Sequence, residues 1–311
     1  MTARHATFGR REFLRLLTAA GAAALLRPLR GWARADAIRT RTIPSTGEAL
    51  PIIGLGSWIT FNVGNDPAAR ENCVQVMAEF FAGGGRVIDC SPMYGSSMDV
   101  IGYGLEKLGR RSQVFAADKV WTPFLADGAE QIEASRRRWG IRRFDLMQVH
   151  NLVDWEDHLP MLFEKKAAGE IRYVGITTSE SRRQEEFESI MRRHPLDFVQ
   201  LSYNIRNRRA EERLLPLARE RGMAVIANRP FQQSALIDWA KRHPLPEWAA
   251  EIDCANWAQF LLKFIVSHPS VTCAIPATRR VDHVRQNMGA GRGRLPDAAL
   301  RRRMIRYVEQ L

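Results

Sequence analysis

The 311-residue chain lacks most of the features that settle a function at sight. Its four cysteines, Cys73, Cys90, Cys254 and Cys273, lie far apart with no Cys-x-x-Cys spacing, so they point to neither a zinc site nor a disulfide framework; an oxidising compartment would permit a bridge if two of them met. The seven histidines show no pairing at ligand spacing, which leaves a metal-dependent barrel hydrolase with only His150 and Asp89 as imaginable ligands. No Gly-x-Gly-x-x-Gly follows an early strand, which argues against a doubly wound dinucleotide fold. Long apolar runs are absent too. The best of them, residues 16–26, is diluted by Ala, Gly and Thr and is too short to cross roughly 30 Å of hydrocarbon as a helix. Lys and Arg outnumber Asp and Glu by 46 to 34, but the arginines are spread over helices rather than clustered with aromatic residues, so nucleic acid is not an indicated partner.

What is present begins with an address. Gly9-Arg10-Arg11-Glu12-Phe13-Leu14-Arg15 is a twin-arginine run, the weak apolar stretch follows, and Ala33-Arg34-Ala35 has the small-x-small form of a cleavage site. Residues 1–35 are therefore expected to be a twin-arginine (Tat) signal peptide, removed after Ala35, with the Tat export machinery as partner. The protein is expected in the periplasm or otherwise exported, without a stable membrane anchor. That route carries folded proteins, so a cytoplasmic cofactor could be loaded before transit. A basic amphipathic N-terminal helix is the competing account. Seven Arg and one Glu fall in this segment, so the rest of the chain carries a net charge of only +6. With 45% hydrophobic residues, residues 36–311 suffice for one domain around one large core.

Residues 39–52 read as two short strands about Ser45-Thr46-Gly47, a hairpin signal. Alternation follows. Residues 51–58 form the first strand, and Asp66-Pro67 supplies an N-cap and a first-turn proline for a helix that Gly83-Gly84-Gly85 stops. Strand two is Val87–Asp89, followed by a helix at about Ser97–Leu108. Six more strands are predicted at residues 114–119, 146–150, 173–177, 198–202, 224–228 and 272–275, with helices such as 129–139, 181–193 and 210–221 between them. Strands alternating with helices pair in parallel through crossovers. Eight such units predict an α/β fold, a closed (β/α)8 TIM barrel, with an N-terminal β-hairpin and a C-terminal helix over residues 298–310. Residues 151–160 and 231–255 are longer than connections need to be and leave from the C-terminal rim. They are expected to touch substrate, or alternatively to pack as excursions around Trp239 and Trp248.

At the tips of strands two, three and four stand Asp89, Lys119 and His150, and Tyr94 sits against Gly95 at the mouth of a turn. A carboxylate at the edge of a buried strand needs a cationic or hydrogen-bonding partner, and Lys119 holds the matching tip of the next strand. Taken singly, each residue has a duller explanation: a helix cap, loop packing, a surface cation, a satisfied core histidine. Taken together, with the run Asp89-Cys90-Ser91-Pro92-Met93-Tyr94-Gly95, they resemble the catalytic tetrad of the aldo/keto reductases, a resemblance covering residues 40–290. It implies that the hairpin plugs the N-terminal end of the barrel.

The chemistry follows from the residue types. A tyrosine hydroxyl can protonate an oxygen as hydride arrives on the neighbouring carbon, but an ordinary pKa near ~10 makes the reverse costly at neutral pH. Lys119 is expected to lower that pKa, Asp89 to hold Lys119 in place and charged, and His150 to donate a hydrogen bond that orients the carbonyl. No side chain has a hydride to give, so a nicotinamide cofactor is implied. Gly56, Ser57 and Trp58, at the tip of the first strand, are expected against it. The resemblance assigns Gln200 to the carboxamide and sets Tyr203 facing the nicotinamide. Thr177 and Thr178 stand where relatives commonly have Ser-Asn, and a hydroxyl replaces only part of what an amide offers. Asn228-Arg229-Pro230-Phe231 takes the place of a common Tyr-Ser-Pro-Leu; Asn228 cannot stack as a tyrosine would, while Arg229 can pair with a pyrophosphate.

After the last strand, Thr278-Arg279-Arg280 resembles the family's adenosine-phosphate loop, with Gln286 and Asn287 expected to face the adenine. A helix N-terminus with two arginines suits a 2′-phosphate, which favours NADPH over NADH. Ala277 and His283 depart from the lysine and arginine that some relatives carry there, and the two arginines could instead face solvent. The expected function is an exported oxidoreductase that reduces a small-molecule aldehyde or ketone to the alcohol. The alternative is a nucleotide-binding sensor or partner subunit with little turnover, since barrels of this family also serve in that role.

Overall fold

The computed structural model describes residues 37–311; the expected signal peptide at 1–35 lies outside them. Strands β1 (Thr40–Thr42) and β2 (Ala49–Pro51) pair antiparallel, Thr40 opposite Pro51, around a turn in which Gly47 takes a φ of 74°. A second sheet follows, of eight strands in chain order: β3 (Leu55–Gly56), β4 (Val87–Asp89), β5 (Phe115–Val120), β6 (Phe144–Val149), β7 (Ile171–Thr177), β8 (Phe198–Ser202), β9 (Ala224–Asn228) and β10 (Cys273–Ala274). Neighbours in this order pair in parallel. The first and last strands meet as well. Ala274 N donates to Ile52 O at 2.9 Å, Gly54 N to Ala274 O at 2.8 Å and Gly56 N to Pro276 O at 3.1 Å, which closes the sheet into the (β/α)8 barrel. The seam is tight enough to require glycine: a Cβ on Gly56 would stand 2.9 Å from Ile275 O.

The helices are α1 (Pro67–Ala82), α2 (Ser97–Leu108), α3 (Leu125–Trp139), α4 (Trp155–Ala167), α5 (Gln184–Arg193), α6 (Leu214–Glu220), α7 (Ala235–Ala240), α8 (Trp257–Val266), α9 (Val281–Gly289) and α10 (Ala298–Glu309). α1 starts as expected, with Asp66 Oδ1 accepting from Ala69 N at 2.9 Å and Pro67 in the first turn. Three boundaries differ from the sequence reading. α3 starts at Leu125 instead of 129. α4 starts at Trp155, so most of the expected rim loop at 151–160 is helix. Glu156 and Asp157 suit its first turn, where the dipole favours negative charge, and Pro160 lies one turn further in. The helix expected over 210–221 is broken into a 3-10 turn, Arg209–Glu211, and α6.

Side chains alternate across each strand, which makes two apolar layers. Val87, Phe115, Ala117, Leu146 and Phe198 fill the barrel, while Ile88, Ala116, Val120, Met147 and Val149 face the helices. Ile43 and Leu50 of the hairpin belong to the inner layer, so the hairpin plugs the barrel. A polar belt seals it at the N-terminal end: Tyr173 donates to Glu48 at 2.9 Å, Arg172 bonds Glu48 and also Asp145 at 2.6 Å, and the Thr46 and Tyr173 hydroxyls are 2.8 Å apart. At the rim, the 231–255 excursion combines both expected forms: Phe231, Gln233 and Ser234 line a cleft, while its tryptophans pack. Trp248 lies 5.6 Å from Phe260 and 5.9 Å from Tyr307, and Trp239 lies 4.4 Å under the Arg206 guanidinium.

Candidate active site

Asp89 ends β4 and Lys119 lies one residue from the end of β5, and the inward alternation of the strands points both at the axis of the barrel. Lys119 is fully buried. Its ammonium donates to Asp89 Oδ2 at 2.7 Å and to Cys90 O at 2.6 Å, and Asp89 Oδ1 accepts from Gln200 Nε2 at 2.7 Å. A buried charge is tolerable only when paired and hydrogen-bonded, and each member of this trio meets that condition through the others. Burial opposes the charge on Lys119, but Asp89 overrides it and holds the ammonium above the ordinary lysine range.

Tyr94 stands on the turn between β4 and α2. Its N–H donates to Ser91 O at 3.0 Å, its carbonyl accepts from Ser97 Oγ at 2.8 Å, and Gly95 beside it adopts a φ of 60°. Lys119 Nζ lies 5.3 Å from the ring centroid. The His150 ring is edge-on at 5.8 Å. Lys119 lowers the phenol's pKa, as expected, but burial outweighs it. Burial pushes the hydroxyl up to about 12, Lys119 pulls the other way and Asp89 cancels part of that pull. The phenol is therefore protonated at neutral pH. His150 follows β6 directly, in a 3-10 turn, with Nδ1 2.7 Å from Ser91 Oγ. Burial, seconded by Lys119, drives its pKa down to about 2, so the imidazole is neutral.

Lys119 is buried behind Asp89, and Asp89, Tyr94 and His150 line an open cleft of about 300 Å³. Gly56, Ser57, Trp58, Thr177 and Gln200 line it, and Asn228, Arg229, Pro230 and Phe231 make the opposite wall. Arg229 pairs with Glu180 at 3.0 Å and lies 6.0 Å over the Trp58 ring. Asn228 is locked: its amide nitrogen donates to Thr178 O at 2.9 Å and its Oδ1 accepts from Ser202 Oγ at 2.7 Å. Thr178 itself turns its hydroxyl away, donating to Arg182 O at 2.9 Å.

Other expected contacts are not brought to the cleft. Tyr203 is fully buried on another face, its hydroxyl bonded to Glu211 and accepting from Arg301 Nη2 at 2.6 Å. The expectation that it faces the nicotinamide is corrected by that ion cluster, which claims the hydroxyl for the anchoring of α10. Thr278, Arg279, Arg280, Gln286 and Asn287 lie at or in α9, beyond Ala277, and do not line the cleft. Thr278 Oγ1 accepts from Arg280 N at 3.1 Å, and Arg280 pairs with Asp282 at 2.7 Å. Arg279 is exposed and makes no ion pair among the described residues.

Sequence reasoning passed over Ser91, Glu180 and Ser202. Ser91 lies inside the motif that carried the argument, and Ser202 shares a strand face with Gln200 two residues away, a period-2 signal that could have found it. Asp118 was also missed. On the outer face of β5 it is fully buried, and no side chain reaches hydrogen-bond geometry with either carboxyl oxygen. Burial, partly offset by Lys119, pushes it up to about 7.

Comparison with known proteins gives a consistent result. The model of the aldo/keto reductase family matches residues 52–303. The methylglyoxal reductase YeaE of Escherichia coli is 28% identical over 259 residues, 80% of this chain and 89% of that protein. An NADH-specific methylglyoxal reductase of the same species is 27% identical over 239 residues, 65% of this chain and 70% of its own. A solved aldo/keto reductase from Klebsiella pneumoniae, in complex with NADP and acetate, aligns with a TM-score of 0.73 at 26% identity over 88% of this chain and 95% of that one.

Proposed function

Because this chain belongs to the aldo/keto reductase family, we propose that it reduces an aldehyde or ketone to the alcohol with NADPH, Tyr94 delivering the proton. One observation carries the proposal: a protonated phenol, a neutral imidazole and a carboxylate line one ligand-sized cleft, with a buried ammonium paired to the carboxylate and 5.3 Å from the phenol ring. The residues present fit a dinucleotide. Gln200 and Asn228 line the cleft and Arg229 brings a cation to its wall, while Arg279 and Arg280 flank the N-terminus of α9. When bound, the nicotinamide supplies the hydride.

The chain's own residues do the rest. The neutral His150 donates a hydrogen bond to the carbonyl oxygen without adding charge, which orients it. Tyr94 gives up its proton as that oxygen becomes basic, and the phenolate forms beside Lys119, whose ammonium Asp89 keeps charged. Both E. coli relatives are named for methylglyoxal, which makes a short ketoaldehyde the first substrate to try. The same proposal sets the mature protein in the periplasm on the strength of the twin-arginine run, and a mass spectrum of protein recovered from that compartment, beginning after Ala35, is the corresponding check.

Purified protein should oxidise NADPH, in preference to NADH, when given such carbonyls. Tyr94→Phe should lower kcat by about 10²–10⁴-fold while NADPH binding, read from quenched protein fluorescence, persists. Full turnover by Tyr94→Phe would overturn the assignment.

A further inference from the structure

His150 can serve a carbonyl oxygen only if the ring nitrogen facing the cleft bears the hydrogen. A neutral imidazole has one N–H and one lone pair, and a partner must decide which nitrogen holds which. The structure offers one such partner. Ser91 is fully buried and its Oγ lies 2.7 Å from His150 Nδ1. The same Oγ accepts from Met93 N at 3.4 Å. With the hydrogen on Nδ1, Oγ would accept from both neighbours, and the serine's own O–H would have no acceptor among the described residues. Leaving a buried hydroxyl hydrogen unpaired disfavours that arrangement by a factor of about ten to a hundred. With the hydrogen on Nε2, every group around the serine is satisfied: Met93 N donates to Oγ, and Oγ–H donates to the Nδ1 lone pair.

We propose that Ser91 is a positioning residue whose hydroxyl holds His150 in the Nε2–H tautomer, leaving that N–H to meet the substrate oxygen. Ser91 also fixes the phenol's turn, because its carbonyl accepts from Tyr94 N at 3.0 Å. One residue thus sets both groups that contact the oxygen. What the Nε2–H is used for rests on the reductase reading above; the tautomer does not.

The test separates the two. In the full chain labelled with 15N-histidine, a long-range 1H–15N correlation spectrum reports which ring nitrogen is protonated, and His150 is assigned by its loss in His150→Asn. The wild-type protein should show Nε2 protonated and Nδ1 bare. Ser91→Ala should give a mixture of tautomers and lower kcat for carbonyl reduction about tenfold, with KM for NADPH unchanged; Ser91→Thr, which restores a hydroxyl, should recover both readouts. A wild-type spectrum with Nδ1 protonated overturns the proposal, as does a Ser91→Ala protein with an unaltered tautomer. If the tautomer follows Ser91 while none of the proteins turns over any carbonyl, the role of Ser91 stands and the reductase reading falls.

Discussion

Lys119 has no access to water, and Asp89 is the main group that keeps it charged. Lys119→Met would leave Asp89 buried without its cation. The expected loss is about 3–5 kcal/mol of stability together with turnover, read from denaturant melts and initial rates. Replacing both partners, Asp89→Leu with Lys119→Met, should restore part of the stability and none of the turnover: the two apolar groups need no desolvation, but the buried Gln200 Nε2 loses its acceptor. Asp118 gives a pH prediction of opposite origin. Its carboxyl titrates near 7 in the fold against an ordinary 3.8, so the folded chain keeps a proton that the unfolded chain has released. Stability should fall as pH rises between about 4 and 7 and level off above. Asp118→Asn should flatten that slope in melting temperatures measured across the window. The sequence displayed Asp118 beside Lys119, and alternation along β5 sets the two on opposite faces, but nothing local said that the outer face leaves a carboxyl without a partner.

Elements whose ends are marked by polar residues or glycine were legible from the chain. β4 stops at Asp89, α2 ends at Gly109 with a φ of 63°, and β8 and β9 end at Ser202 and Asn228. Legibility failed where proline sat inside a helix. Pro160 lies within α4 and made its start look like loop, and Pro216 fits α6 only near the first turn, which splits the longer helix that the pattern suggested. At α1 the cap itself is testable. Asp66→Ala removes one 2.9 Å bond to an orphan N–H and should cost about 1 kcal/mol in thermal melts, with kcat unchanged, since α1 carries none of the four rim residues.

For the whole molecule, alternation was enough to read a barrel and to bring three successive strand tips together; what those tips do was read from the resemblance carried by the run Asp89–Gly95. The nucleotide side was read less well. The resemblance set Tyr203 against the nicotinamide, yet Arg301 on α10, far away in sequence, claims its hydroxyl. Such long-range competition leaves no local trace. A ligand that binds only the closed barrel stabilises it by mass action, so NADPH at about 100 times its Kd should add about 2.7 kcal/mol, seen as a rise in melting temperature. NADH at the same concentration should give a smaller rise.

The seam joining Ile53 to Ala274 spans about 220 residues of chain, so closure is among the least local contacts in the molecule. A ribosome that has delivered seven of the eight strands has produced an open ribbon with two unpaired edges. Those edges are templates for pairing between chains until the final two-residue strand emerges. Synthesis and closure thus finish almost together, and a chain cut short near its end leaves a seed for aggregation instead of a weakened enzyme.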